Sequence, residues 1–136
     1  MIKEQTIPYA HADTVLTPDD VYGLIKEYLQ GADREHFIAV FLDAQSKVTG
    51  ITTVSIGTLT ESLVHAREVF KAAILANAAS IIVAHNHPSG MSTPSDADIS
   101  VTRKLQEAGR IVGIEVADHV IMGEDGYTSL KGEGLL

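Results

Sequence analysis

The segment from residue 80 to residue 98 constrains the fold of this chain more than any other. Residues 80–84 form a short apolar run that is typical of a buried strand. A loop with Pro88 and Gly90 follows, and Thr93-Pro94 is a helix start with a threonine cap and a proline in the first turn. A strand, an irregular loop and a helix in succession predict an α/β unit with binding residues in the loop.

Three candidate metal ligands lie in this segment. His85 and His87 follow the predicted strand two residues apart, and alternate residues of a strand point to the same side. Asp98 completes the spacing H-x-H-x10-D from the predicted helix. Nearby histidines are common without a metal, but two imidazoles and one carboxylate with no fourth protein ligand are typical of catalytic zinc. We therefore predict one zinc ion bound by His85, His87 and Asp98.

At these residues the chain resembles the RadC family, whose core is similar to the JAMM (MPN) metalloproteases. The likeness runs from about Thr14 to the C-terminus, and its most specific part is the string His-Asn-His-Pro-Ser-Gly. Its other matching segments are Arg34-Glu35, Phe41-Leu42-Asp43, Gly57-Thr58-Leu59, Arg67-Glu68-Val69-Phe70, Asn77-Ala78-Ala79, Pro94-Ser95 with Asp98, and Asp118-His119.

The resemblance implies an architecture for the chain. We expect an N-terminal arm over residues 1–13 and one JAMM/MPN-like, cytidine-deaminase-like domain over residues 14–136. Longer RadC proteins carry an N-terminal helix-hairpin-helix domain that this sequence does not contain. We therefore expect either a short family member or an excised domain.

The resemblance also implies two catalytic residues. Glu35 matches the carboxylate that acts as general base toward the attacking water, and Ser95 matches the serine that donates a hydrogen bond to the oxyanion. From the residues alone, Glu35 cannot be distinguished from other glutamates or from a solvated charge at a strand start. Ser95 is equally suited to bond an orphan backbone N–H in the first turn of a helix. The competing glutamates are Glu61, Glu68 and Glu115.

Two further features have roles that the sequence leaves open. Asp118-His119 either orients a metal ligand from behind or anchors the junction of two strands by local hydrogen bonds. We do not expect this pair to bind the metal directly. Asn86 lies between the two histidines with its side chain predicted to turn away from theirs, so we expect it to hold the loop.

Composition excludes several classes of protein. The chain has no cysteine, so it cannot supply the Pro-Cys-x-x-Cys ligands of nucleobase deaminases, and it is compatible with a reducing cytoplasm. Its net charge of −8, with ten Lys and Arg against eighteen acids, opposes DNA binding. No apolar stretch reaches the ~18 residues of a membrane helix, and the N-terminus lacks an apolar signal core. We expect a cytoplasmic protein, with a homo-oligomer left open.

Hydrophobic periodicity and turn residues predict a single α/β domain with a mixed sheet flanked by helices. Short connections predict a hairpin between the first two strands and an edge strand at the end of the chain. The predicted helices cover residues 17–30, 65–77 and 93–108, and the predicted strands cover residues 35–42, 47–56, 80–84, 111–116, 119–122 and 127–130.

These observations together predict a zinc-dependent hydrolase of peptide or isopeptide bonds, in a family labelled DNA repair, with a protein or peptide as substrate. Two alternatives stay open. The domain could be a catalytically silent MPN-type scaffold for protein interactions, although such scaffolds lack the ligand set that this chain retains. It could also be an accessory domain of a DNA-associated repair protein.

Overall fold

The computed structural model describes residues 14–15, 17–60 and 64–136. The predicted arm over residues 1–13 lies outside the described residues. The described part of the chain forms helices and strands in the order α1 (Pro18–Tyr28), β1 (His36–Leu42), β2 (Val48–Ile56), α2 (Ala66–Leu75), β3 (Ser80–Asn86), α3 (Asp96–Val112), β4 (Glu115–Met122) and β5 (Tyr127–Ser129).

The strands form one sheet in the order β2-β1-β3-β4-β5. Strand β1 pairs antiparallel with both β2 and β3, whereas β3 and β4 pair in parallel across the α3 crossover. Strand β5 pairs antiparallel with β4 at the edge of the sheet. The predicted mixed sheet, the β1–β2 hairpin and the terminal edge strand are therefore confirmed.

Hydrophobic cores cover both faces of the sheet. Along β1, Phe37 and Phe41 belong to the core under α2 and α3, whereas Ile38 and Val40 belong to the core under α1. This alternation follows from the two-residue period of a strand, and it makes the domain a three-layer α/β/α sandwich. In β3 the same alternation continues to the end of the strand, which places His85 on the α3 side.

The predicted start of α3 at Thr93-Pro94 is wrong by two residues. Ser95 is the N-cap, and its hydroxyl accepts from the backbone N–H of Asp98 while the Asp98 carboxylate accepts from the backbone N–H of Ser95. This reciprocal capping box satisfies two otherwise unpaired donors. It outcompetes the Thr-Pro signal just upstream, and it fixes the side chain of Asp98.

The predicted end of α3 before Gly109 is also wrong. The helix continues to Val112 and ends at Gly113, which has the left-handed φ of +87° that glycine adopts without strain. The predicted strand over residues 111–116 was misplaced for the same reason, because Ile111 and Val112 belong to the helix. Residues 115–122 form one strand rather than the last part of one and the whole of another.

No helix among the residues that the structure describes is long and apolar enough to cross a membrane.

Candidate metal centre

The three predicted ligands meet at the end of β3. His85 is fully buried, and His87 follows directly after the strand with its ring centroid 4.5 Å from that of His85. Asp98, fully buried in the first turn of α3, lies against both rings. Its Oδ1 is 3.1 Å from His85 Nε2 and its Oδ2 is 3.4 Å from His87 Nε2. The structure therefore brings together two imidazole nitrogens and one carboxylate.

Two buried atoms of this cluster are unsatisfied. His85 Nε2 and Asp98 Oδ1 make no hydrogen bond of suitable geometry within the described part of the chain, although they face each other. Leaving such a group unpaired in the interior costs about 1–3 kcal/mol. A divalent cation between them would satisfy both atoms, so the donor set fits a metal ion.

The protonation of the histidines is consistent with metal binding. Burial lowers the pKa of His85 to about 4, against the opposing effect of the Asp98 carboxylate and with a smaller lowering from His87. At neutral pH the ring is therefore uncharged and keeps one nitrogen lone pair. His87 Nδ1 lies 2.8 Å from the carbonyl oxygen of Met91, which can only accept, so this nitrogen donates and Nε2 carries the lone pair.

Glu35 lies at the edge of the cluster, one residue before β1. Its Oε1 is 3.2 Å from His85 Nε2, and 14% of its side chain is exposed. The backbone N–H of Gly57 donates to its carbonyl oxygen. Burial raises the pKa of the Glu35 carboxyl, and Asp98 adds to this, while His87 and a hydrogen bond with the Leu59 backbone lower it. A carboxylate whose pKa is shifted toward neutrality suits proton transfer.

The other glutamates that the sequence offered lie elsewhere or outside the described residues. Glu68 is on α2, where it pairs with Arg67, and Glu115 is exposed at the start of β4. Glu61 lies outside the described residues. Among the candidates with a described position, the structure therefore brings Glu35 alone to the cluster.

Ser95 is exposed at the N-terminus of α3, three residues before Asp98. Its oxygen accepts the Asp98 N–H at 3.1 Å, which is the capping role that the sequence offered as an alternative. That bond uses an oxygen lone pair and leaves the hydroxyl proton to be donated elsewhere. The geometry thus accommodates the capping role together with donation to a substrate.

Asn86 connects the strand that carries the ligands to the segment that carries Glu35. Its Oδ1 accepts from the backbone N–H of His36 at 2.7 Å, and its Nδ2 donates to the carbonyl of Arg34 at 3.0 Å. The side chain points away from the metal cluster, as the alternation of β3 requires. It therefore holds the residues on both sides of Glu35, in addition to its own loop.

Asp118 and His119 have different contacts and therefore different roles. Asp118 accepts from Ser129 Oγ and from the backbone N–H groups of His119 and Lys131, which anchors the end of the chain beside β4. His119, in contrast, is fully buried with its Nε2 3.1 Å from His85 Nδ1. Burial, reinforced by the neighbouring histidines, lowers its pKa well below the ordinary value.

Sequence reasoning missed Thr102. This residue is fully buried on α3, and its hydroxyl lies 2.6 Å from the carbonyl oxygen of Asp98 and 2.5 Å from His119 Nδ1. The only signal in the sequence was its position four residues after Asp98, which places both residues on one face of the helix.

Two overlapping groups of donors among the described residues could hold a metal ion. One consists of Glu35, His85 and His87, and the other of His85, Asp98 and His119, with the donor atoms of each group within 4.8 Å of one another. His85 belongs to both groups, so they form one centre. His119 faces Nδ1 of His85, whereas the carboxylates of Glu35 and Asp98 face its Nε2.

The three-layer fold and this His/Asp cluster define a JAB (MPN)-like domain with a site compatible with a metal ion. Residues 15–135 match the family model described as the RadC-like JAB domain, and the chain belongs to this family. The resemblance to RadC proteins is thus confirmed.

Curated relatives agree with this assignment. The chain is 54% identical over 119 residues to a UPF0758 protein of Desulforamulus reducens, covering 88% of this chain and 52% of the relative. It is 53% identical over 122 residues to a UPF0758 protein of Rubrobacter xylanophilus, covering 90% of this chain and 53% of the relative. The chain therefore spans about half the length of these relatives.

Proposed function

We propose that this domain is a zinc-dependent hydrolase of peptide or isopeptide bonds, with a protein or peptide as its substrate. The observation that carries the proposal is the convergence of His85 Nε2, His87 Nε2 and the Asp98 carboxylate. Two of these buried atoms, His85 Nε2 and Asp98 Oδ1, make no hydrogen bond among the described residues. Glu35 stands beside them with a raised pKa.

His85, His87 and Asp98 would hold the ion. Imidazole nitrogen and carboxylate oxygen are ordinary zinc ligands, and three of them leave a coordination position for water. Asp98 suits the ligand role better than Glu35, because its carboxylate contacts both Nε2 atoms and is completely buried. Glu35 contacts one of them and keeps part of its side chain exposed.

Glu35 would transfer the proton. A zinc ion held there would supply an acidified water and polarise the carbonyl of the bond to be cleaved. Glu35 would accept a proton from the attacking water and deliver it to the leaving amine, for which its raised pKa is suited. Asn86 and Gly57 hold the backbone on either side of this carboxylate and thereby keep it in place.

Ser95 would stabilise the charge that develops on the carbonyl oxygen. Its oxygen is held by the helix cap, so the hydroxyl proton projects from a fixed point. A positioned donor of this kind stabilises an oxyanion without reorganising during the reaction. Peptide and isopeptide bonds share the amide group on which these residues act, and the proposal therefore covers both.

The test is cleavage of a mixed library of peptides and lysine-linked isopeptides by zinc-loaded protein. Wild type is compared with Glu35→Gln and with the control Glu107→Gln, which removes an exposed carboxylate from α3. We expect Glu35→Gln to lower the cleavage rate by ~100-fold or more, because positioned proton transfer contributes a factor of this order. The control variant is expected to cleave like wild type.

Two results would overturn the proposal. Cleavage retained by Glu35→Gln would show that Glu35 is not the general base. A wild-type protein that binds zinc and cleaves no member of the library would contradict the hydrolase and favour a scaffold for protein interactions.

A further inference from the structure

We propose that Thr102 and His119 form a buried hydrogen-bond relay that fixes the tautomer of His85 and so directs the lone pair of its Nε2 toward the metal. Both would act as positioning residues, because they lie behind His85, on the side of its Nδ1, and not among the proposed ligands. The inference rests on the metal site of the proposed function and is independent of the bond that the enzyme cleaves.

The first link fixes the proton of the Thr102 hydroxyl. Thr102 Oγ1 lies 2.6 Å from the backbone carbonyl oxygen of Asp98, one turn earlier on α3. A carbonyl oxygen only accepts, so the single hydroxyl proton of Thr102 is donated to Asp98. The threonine oxygen then has only lone pairs to offer to any further partner.

The second link fixes the proton of His119. Its Nδ1 lies 2.5 Å from Thr102 Oγ1, and because that oxygen can only accept here, Nδ1 carries the hydrogen. The ring is completely buried, which disfavours its charged form, so it holds one proton. Nε2 of His119 is therefore an acceptor. An edge-on contact with Phe37, at 5.6 Å between ring centroids, helps to keep the ring in this orientation.

The third link fixes the proton of His85, the proposed metal ligand. His85 Nδ1 lies 3.1 Å from His119 Nε2 and must donate to it. A neutral His85 with hydrogen on Nδ1 has a bare lone pair on Nε2, the atom that faces Asp98 Oδ1 and makes no hydrogen bond among the described residues. The relay thus assigns the tautomer, and the lone pair that it exposes lies where a cation would bind.

The relay also explains why a polar threonine is buried beside the ligands. With an apolar residue at position 102, His119 Nδ1 would lose the hydroxyl as an acceptor and keep only the backbone carbonyl of Asp98, which favours movement of its proton to Nε2. Nε2–H would then donate to His85 Nδ1 and force the His85 proton onto Nε2, where it would occupy the metal-binding lone pair. Partners behind a ligand of this kind typically contribute 10- to 100-fold to metal affinity.

The direct test is the tautomeric state of the histidines in the metal-free protein, read from the nitrogen shifts and long-range proton–nitrogen couplings of its imidazoles at neutral pH. We expect hydrogen on Nδ1 of both His85 and His119. Hydrogen on Nε2 of either ring in wild type would overturn the relay, whether or not the protein cleaves peptides.

The second test uses variants with every ligand intact. We expect Thr102→Val, which keeps the shape and removes the hydroxyl, to lower zinc affinity by ~10- to 100-fold and to move the His85 proton to Nε2. Thr102→Ser should restore both. The matched control is Thr52→Val, because Thr52 is buried and its hydroxyl has no partner among the described residues.

A zinc affinity of Thr102→Val within twofold of wild type would contradict the relay, as would a zinc-induced shift at His119 Nε2 in place of His85 Nε2. Should Thr102→Val fail to fold, the tautomers of the wild-type protein decide the question. Because all readouts are zinc binding and nitrogen shifts, failure of the relay is distinguishable from failure of the proposed hydrolysis.

Discussion

The two oxygens of the Asp98 carboxylate have different surroundings. Oδ2 accepts the backbone N–H of Ser95 at 2.7 Å and completes the helix cap, while Oδ1 faces His85 without a hydrogen bond among the described residues. The cap is a local feature of the sequence, and it orients the side chain before any metal arrives. The same capping box therefore shapes the first turn of α3 and positions the candidate ligand.

The buried histidines make the stability of the metal-free protein depend on pH. The pKa of His85 is about 4 in the folded state, below the ordinary 6.5, and the pKa of His119 is lowered in the same direction. Between these values the unfolded chain binds more protons than the folded one. Stability that is present above pH 6.5 should therefore fall as the pH decreases toward 4, by up to about 1.4 kcal/mol per pH unit for each histidine.

Urea unfolding in the presence of a chelator, at several pH values between 7 and 4.5, measures this slope. His85→Gln should flatten it, whereas the control His65→Gln, which changes an exposed histidine before α2, should not. Glu35 changes the stability with pH in the opposite direction, because its pKa is raised. The contribution of His85 is therefore read from the difference in slope between wild type and His85→Gln. An unchanged slope in His85→Gln would contradict the assignment.

At the scale of elements, two helical glycines should respond in opposite ways to alanine. A Cβ at Gly109 in α3 would lie 2.3 Å from the backbone carbonyl oxygen of Ile114 and 3.2 Å from the ring of Phe70, whereas a Cβ at Gly23 in α1 meets nothing within 4 Å. Alanine is favoured over glycine inside a helix by about 1 kcal/mol. We expect Gly23→Ala to stabilise the protein by this amount, and Gly109→Ala to destabilise it because backbone must move.

Thermal or urea unfolding of the two variants checks this expectation. Each serves as the control for the other, since both make the same chemical change in a helix. A Gly109→Ala protein that is as stable as Gly23→Ala would show that the end of α3 does not pack tightly against Ile114.

The same glycine shows which features of the elements can be read from the sequence. Apolar alternation, turn residues and caps predicted the helices, the strands and the β1–β2 hairpin, because these signals are local. The sequence predicts that the helix ends before Gly109, but Gly109 lies within α3 and packs closely against the ring of Phe70 on α2 and the backbone of Ile114 just after the helix. The contact with Phe70 exists only after folding, because it joins two helices.

The site shows the same division between local and long-range information. His85, His87 and Asp98 could be proposed together because a strand end and one helical turn relate them. Thr102 could not, since its partner His119 is 17 residues away on β4 and reaches the cluster only through the parallel pairing of β3 with β4. Glu35 could be proposed only from the resemblance to RadC proteins, because its position beside the His/Asp cluster depends on the pairing of β1 with β3.

At the scale of the whole molecule, charge should govern the response to DNA. The chain carries a net charge of −8, and phosphate binding requires Lys and Arg to displace counterions. We expect this domain to bind duplex DNA no more tightly than the ~10⁻⁴ M end of nonspecific binding. Fluorescence anisotropy with a labelled duplex at ~150 mM salt tests this, and micromolar binding with a steep salt dependence would contradict it.

Zinc stoichiometry tests directly whether His85, His87 and Asp98 hold one zinc ion while Glu35 acts beside it. Equilibrium dialysis against zinc at neutral pH, followed by elemental analysis, would compare wild type with His87→Ala and Glu35→Gln. We expect one zinc per chain in wild type and in Glu35→Gln, and a large loss in His87→Ala. No bound zinc in wild type, or an equal loss in Glu35→Gln and His87→Ala, would contradict it.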